Sequence, residues 1–572
     1  MQYKAQDGQT MKQNNKEFIN SVVRRVVFAA LVIIGAWLLL FALRGAISDS
    51  VIGQMNAEMR DRLRQPLPFD SRSWDWPQSL FGDKQRAPVQ MGITLGFFAL
   101  NGVLSLVISA LLLLIGFLIS RATRQSAWLA KLRSILRLVI VSRGASTPFF
   151  VISTLAVVFW MPRLVTPPPP GSLSAMYLGG AFFWIAIFAS IWPTWLLVQA
   201  GHGEMARRQA MPYPALAKHL AVYLFVRLLN LVGVILAISF LGELGVGRVL
   251  LDRSFYMRDF PPMFSGAWSL AIIVTLVKLV ADLIQLTYNR FSKTAPSAEP
   301  AEEPSPLRFA IPKVWLVSSL GLVGVSVLMA IAAPALAPYG WNEIMLQNRL
   351  APPGPGLLLG ADNVGRDILS RLLGGIRLDL LGAIAGGGIV TIIAGAWALL
   401  AEHLKRAGRR TLEELVMLPV ESLRAFPWLI LVLVLLSLRQ QGVVPTIVAA
   451  SLAIAPRIVA MIREAAGSSP SGENAFRLVL RAIPVTFLLT VPGIIIYISA
   501  SSYMGLGVPP PYPELGGMLS GAGRQFMMQS PWMALSPVVT LSLLLLIWVM
   551  AGEALLERLG FRSKAVWAKT ME

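Results

Sequence analysis

Cysteine is absent from the 572 residues, which excludes disulfides and thiolate metal sites. Histidine occurs only as His202, His219 and His403, too far apart in sequence for a spaced histidine metal motif, so no metal site is expected. Charge is scarce, at 14% of residues against about 25% in a soluble domain. No G-x-x-x-x-G-K-[ST] sequence occurs, so the chain lacks the usual P-loop means of binding and hydrolysing ATP. The G-x-G fragments have no strand–turn–helix context and do not read as nucleotide sites. No set of nucleophiles, acids and metal ligands converges in the sequence, which argues against a membrane enzyme.

What is present is apolar. Hydrophobic residues make up 55% of the chain, arranged in runs near the ~20 residues that cross a bilayer as a helix. The sequence predicts an all-α polytopic membrane protein with about twelve transmembrane helices. Six fall at Val26–Leu43, Gly96–Ser120, Thr147–Met161, Ala175–Gln199, Tyr223–Gly242 and Phe264–Tyr288. Six more fall at Val314–Ala335, Leu378–Ala401, Leu418–Leu438, Val444–Ile462, Val485–Tyr503 and Met533–Leu555. The first run is longer than a signal-peptide core and reads as a retained helix. The net charge is +20, but the bases cluster just outside the runs, in 121–143, 200–222, 402–417 and 463–484. All four segments share one side if the N-terminus is inside, which puts both termini in the cytoplasm. Basic charge is thereby accounted for without nucleic acid.

Between the two sets of runs lies FSKTAPSAEPAEEPSPLRFAIP, Phe291–Pro312, with five prolines and three glutamates. It has no apolar run to offset the entropy of ordering and reads as a cytoplasmic linker. The expected organisation is a first half at 1–290, the linker at 291–312 and a second half at 313–572. The halves echo one another at an offset of 260 residues. Leu228-Leu229 matches Leu488-Leu489; Gly233, Ile235, Ile238 and Ser239 match Gly493, Ile495, Ile498 and Ser499; Gly245 and Gly247 match Gly505 and Gly507. Six crossings per half give both copies the same orientation, a parallel repeat.

In the second half, Ala333–Gly340 reads APALAPYG, Leu359–Arg371 reads LGADNVGRDILSR and Tyr503–Leu519 reads YMGLGVPPPYPELGGML. This combination resembles the second permease subunit of oligopeptide/dipeptide-type ABC importers, through Gly360, Asp362, Gly365, Arg366, Asp367, Gly505 and Gly507. In the first half, Gly245-Val246-Gly247-Arg248 followed by Met257-Arg258-Asp259-Phe260-Pro261 resembles the partner permease, as does Val280-Ala281-Asp282-Leu283. The chain thus resembles both permeases fused. The resemblance implies import of peptides or peptide-like solutes across the bacterial cytoplasmic (inner) membrane. It implies a solute-binding protein outside and separate ABC ATPase subunits inside, with ATP used by those partners and no cofactor bound by this chain.

The resemblance also implies an ATPase-coupling helix between the fourth and fifth helices of each half. Its residues are Glu204, Met205, Ala206 and Ala210, with His219 following, and Glu464, Ala465, Ala466 and Gly472. Small residues let such a helix sit close in a cleft, glycine allows a sharp exit, and the acid is favoured near a helix N-terminus. The sequence departs from the family pattern at Ala210, where glycine is usual, and in the spacing from Glu464 to Gly472. Ile238 and Ile498 stand where the family usually has glutamate.

Topology alone also fits a twelve-helix secondary transporter, although loop 121–143 lacks the acid such carriers usually have between helices two and three. Other polar features have plainer readings. Arg366 and Asp367 are expected to form an ion pair shaping the loop before the eighth helix. Arg227, Lys278, Asp282 and Glu553 lie near helix ends, where pairing or snorkelling explains them. Gly386-Gly387-Gly388 suits close helix contact. Pro148, Pro193, Pro427, Pro484 and Pro492 favour kinks in or beside the spans.

Overall fold

A computed structural model describes residues 2–45, 47, 96, 99–115, 213–232, 260–291, 313–467, 475–520 and 531–559, with isolated positions between them at 190–205, 235–236 and 523–530. The apolar runs fold as helices because a helix satisfies every internal backbone donor and acceptor without water. In the first half these are α1 (Gln2–Gly45), α2 (Ala99–Ile115), α3 (Tyr213–Asn230) and α4 (Phe260–Phe291). The second half has α5 (Lys313–Leu336), α6 (Ile368–Arg406), α7 (Arg410–Arg424), α8 (Trp428–Ser437) and α9 (Val443–Gly467). It continues with α10 (Ala475–Tyr503), α11 (Leu515–Leu519) and α12 (Trp532–Arg558). Among the described residues there is no strand, only the isolated bridges Gly354–Leu357 and Ala361–Asp367.

Seven described helices are long and apolar enough to cross a membrane, or eight if the bent α7–α8 pair counts as one span. The expected span Thr147–Met161 lies outside the described residues, as do most of Ala175–Gln199, the linker at 292–312 and Pro148. Three expectations need correction. The runs Leu378–Ala401 and Val485–Tyr503 start too late, because α6 and α10 continue N-terminally through Arg371, Arg377, Arg477 and Arg481. The 402–417 segment is mostly helical, the end of α6 and the start of α7. Leu418–Leu438 is not one straight helix but breaks by 85° between α7 and α8. Pro427 causes the break: it has no amide hydrogen to give, and its ring disfavours helical geometry at Phe426.

Helices α6, α9 and α10 pack on one another at the centre of the second half, with α5 and α12 alongside. Lipid tails are as apolar as leucine, so close contact rather than water exclusion binds such helices together. Small residues provide it. A side chain at Gly382 would run into Ile447 of α9, and one at Gly386 into Ser451. Gly387 faces Thr490, Val491 and Ile494 of α10. Within the glycine triplet, Gly386 is the position where close packing excludes a side chain. The outer rows of α5 and α6, including Val317, Leu328, Ile389 and Ile392, are exposed, as helix faces turned to lipid are.

In the first half, α4 packs on α1 and α3. The seam between halves is α1 on α7 and α4 on α8. Gly35 lets α1 approach the Ser422 side chain, Ser437 Oγ donates to Met263 Sδ at 3.0 Å, and Arg24 pairs with Glu414.

Candidate functional site

The turn preceding α6 is built around one carboxylate. Asp362 Oδ1 accepts from the amides of Val364 at 3.0 Å and Arg366 at 2.9 Å. Its Oδ2 accepts from Arg366 Nε at 2.7 Å and lies 3.7 Å from Arg371 Nε. Gly365 sits at φ +84°, and a Cβ there would strike the Met345 carbonyl, so the tight turn requires glycine. Gly360, at φ +79°, sits against the Ala351 carbonyl and Trp532. Asp367 is the N-cap of α6, accepting from Ser370 N at 2.8 Å and Ser370 Oγ at 2.6 Å. The expected Arg366–Asp367 ion pair is thus corrected: Arg366 pairs with Asp362, while Asp367 satisfies the free amides of a helix start.

The same turn is tied to the second motif. Arg371 Nη1 donates to the carbonyls of Trp341 at 3.3 Å and Pro511 at 3.4 Å. Gly374 and Gly375 let α6 lie against Pro513. Gly505 turns at φ +75°, and its carbonyl accepts from Gln441 Nε2 at 3.1 Å. Gly507 lies over Ser501 and Ser502, and Ser502 Oγ accepts from Val508 N at 3.0 Å. Gly360, Asp362, Gly365, Arg366, Asp367, Gly505 and Gly507 therefore share one polar rim at one end of the bundle. Gly245, Gly247, Arg258 and Asp259 of the first half lie outside the described residues.

The predicted coupling residues are treated unequally. Glu204 and His219 are brought together, Oε1 to Nε2 at 2.9 Å, with both side chains more than nine-tenths buried. The His219 ring faces Tyr288 at 5.6 Å and Tyr223 at 6.3 Å. The Glu204 carboxylate is braced against α3, and Met205 packs on the core beside it. Ala206 and Ala210 lie outside the described residues, as does Gly472. Glu464, Ala465 and Ala466 fall in the final turns of α9, next to Arg463, which pairs with Glu413 of α7. Two charges near span ends are also paired: Asp282 lies 3.5 Å from Arg25, and Arg227 Nε donates to the Tyr223 hydroxyl at 3.2 Å.

Sequence reasoning passed over three buried charges. Asp379, in α6, accepts from Leu515 N at 3.2 Å through Oδ2 and shares a hydrogen bond with Glu514. Glu514 caps α11, accepting from Gly516 N at 2.9 Å and Gly517 N, and its Oε1 takes the Ser499 hydroxyl at 2.9 Å. Burial pushes the Glu514 carboxyl up, against the pull of those amides. A bond between two carboxyl groups needs one proton on the pair. The third charge is Arg457, in the middle of α9 and 2% exposed. One signal was available for Asp379 and Arg457: each is a charge inside a predicted span, the position where function is the default suspicion.

No protein-family model matches the chain. Among curated proteins, it is 30% identical to the di/tripeptide transport system permease protein DppC of Pseudomonas aeruginosa, over 47% of this chain and 97% of that protein. It is 28% identical to the dipeptide transport system permease protein DppC of Haemophilus influenzae, over 43% of this chain and 90% of that protein. It is 29% identical to the glutathione transport system permease protein GsiD of Pectobacterium atrosepticum, over 42% and 85%. Each relative is matched along most of its length by less than half of this chain.

Proposed function

The chain belongs to the family of dipeptide and oligopeptide transport system permeases, and from that premise we propose that it is the whole membrane component of an ABC importer for peptides or peptide-like solutes, with two permease halves in one polypeptide. The observation that carries this reading is coverage: 47% of the chain accounts for 97% of a relative. The sequence outside such a match is long enough for a second permease. The 260-residue echo and the two coupling segments, beginning at Glu204 and Glu464, support the duplication. The halves meet along α1–α7 and α4–α8, as two subunits of a pair would.

In this reading the chain supplies the pathway and separate ATPase subunits supply the energy, since no P-loop sequence is present. A solute-binding protein delivers cargo from outside the cytoplasmic membrane, and both termini and the linker face the cytoplasm. The rim around Asp362 is the rigid outer end of the second half. The break at Pro427 separates α8, on the seam, from α7, so the seam is able to shift without bending a continuous helix. The Glu204–His219 bond links the start of the first coupling segment to α3, so a push on that segment reaches the bundle through α3. Cargo differs among the relatives, whose names specify dipeptides, di/tripeptides and glutathione.

The test is affinity purification of the intact tagged chain from its native membrane, with mass spectrometry of what accompanies it. P-loop ATPase subunits are expected, and Glu204→Lys is expected to lose them. A chain recovered without any ATPase from gently solubilised membranes, and taking up solute on an ion gradient, overturns the proposal in favour of a secondary transporter.

A further inference from the structure

Arg457 lies fourteen residues after the start of α9 at Val443 and ten before its end at Gly467. At 1.5 Å per residue that is roughly 20 Å and 15 Å from the two ends, the middle of a membrane span. A guanidinium there is costly unless it is paired with an acid. Among the described residues no acid pairs with Arg457; its one hydrogen bond there is from Nη1 to the Ala453 carbonyl of its own helix at 3.3 Å, and its Nε has no partner. The charged or titratable groups that act on it are Tyr497 and Arg424, a phenol and a second cation.

The neighbouring polar atoms are orphaned too. Tyr497 of α10 and Trp428 at the start of α8 are both fully buried. Their rings stack at 4.4 Å with planes 12° apart, and neither the Tyr497 hydroxyl nor the Trp428 Nε1 has a partner. Three mutually packed helices thus carry three unsatisfied groups, each able to donate a hydrogen bond, one of them cationic. Buried donors of this kind are normally satisfied. Trp428 is also the first residue after the 85° break, on the helix that packs against α4 of the first half. Trp428 therefore lies on an element of the second half that meets the first.

We propose that Arg457, with Tyr497 and Trp428, is a transient mid-membrane binding site for the carboxylate of the transported solute. The chemistry matches: a guanidinium and two neutral donors complement the acceptor-only oxygens of a carboxylate. The site rests on the importer reading above.

The experiment uses the full chain with its co-purifying ATPases and measures ATP-dependent uptake of tri-alanine and of its C-terminal amide. Arg457→Gln is expected to lower uptake of the free acid at least tenfold relative to wild type and to leave the amide within twofold. Arg457→Lys, which keeps the charge, is expected to fall between. Loss of both substrates equally, or of neither, overturns the site while leaving the importer reading intact. Wild-type chain that takes up neither probe speaks against the importer reading, and the site is then judged on the purified full chain alone. There, sodium acetate is expected to raise the thermal unfolding midpoint of wild type above that in equimolar sodium chloride, and Arg457→Gln is expected to abolish that difference. Without acetate, Arg457→Gln is expected to raise the midpoint, since it removes an unpaired buried charge. A lowered midpoint marks Arg457 as structural and overturns the site.

Discussion

Glu204 and Glu464 begin the two predicted coupling segments at the same 260-residue offset as the helix-five echo, and seven residues before each stands a buried side chain: Leu197 in the first half, Arg457 in the second. Among the described residues of the first half, the buried acid–base contact is Glu204 with His219, while α2 buries the neutral Asn101, Ser105 and Ser109. The second half places its buried polarity within and above the bundle, at Arg457, Asp379 and Glu514. Duplication preserves helix spacing because packing depends on backbone approach and residue size. It does not preserve polar chemistry, because one charge per pathway suffices to contact one charge on a solute. In the proposed reading the halves divide the work: the first braces the coupling segment, and the second presents the charge.

Exchanging the residues at the matched positions is the harshest test of that division. Leu197→Arg places an unpaired guanidinium at a fully buried site and is expected to cost about 3 kcal/mol or more, read as loss of folded protein or a large drop in unfolding midpoint in detergent. Arg457→Leu is expected to raise the midpoint, because an apolar side chain of similar reach replaces an unpaired charge. If both substitutions destabilise equally, the halves do not differ in the way described.

The next effect concerns the brace. Glu204→Ala leaves His219 buried against Tyr288 and Tyr223 with its charged partner gone, and about 2–3 kcal/mol of stability is expected to go with it, the range for hydrogen bonds to charged groups. Hydrogen exchange sharpens the comparison: protection is expected to fall in α3 and to remain in α9 and α10. Faster exchange in α9 instead places the coupling of the two halves in one cooperative unit.

Much of this was legible in the sequence, and the remainder was hidden for identifiable reasons. The second-half helices and both motif stretches follow from apolar runs and from turn residues such as Gly365. The break at Pro427 is hidden in an average over Leu418–Leu438 because the strongly apolar α8 outweighs Glu421 and Arg424 of α7; the proline itself marks it. Arg457 is diluted by the isoleucines and alanines around it in the same way. The late starts at α6 and α10 arise because Arg371 and Arg377, and likewise Arg477 and Arg481, look like the end of a run, whereas Asp362 and the Trp341 carbonyl give Arg371 partners. The Glu204–His219 contact is hidden in the sequence because His219, fifteen residues away, reaches Glu204 only after α3 forms.

A smaller effect distinguishes the rim of the second half by its pH dependence. Glu514 has its carboxyl raised above the ordinary value by burial. The folded form therefore holds a proton that the unfolded form releases. Its contribution to stability is present below the unfolded value and is lost as pH rises through the folded one. Glu514→Gln cannot ionise, so its stability is expected to change less steeply with pH across that window. The slope is the readout, because the amide also forfeits one acceptor for the α11 amides. An unchanged slope would assign the proton to another group.

The smallest effect is expected at the seam. Arg24 and Glu414 join α1 to α7 across the halves, but their side chains are 60% and 38% exposed. An ion pair in that setting contributes about 0–1 kcal/mol and is screened by salt. The apolar seam, with Gly35 against Ser422 and α4 against α8, does not depend on it. Arg24→Ala is therefore expected to shift the midpoint slightly or not at all. A full chain carrying a protease site between residues 292 and 312 is expected, after cutting, to stay as one complex in detergent at 1 M salt. Separation of the cut halves in high salt, and not in low, would show that the two halves are held by charge, and that the linker rather than the seam keeps them one transporter.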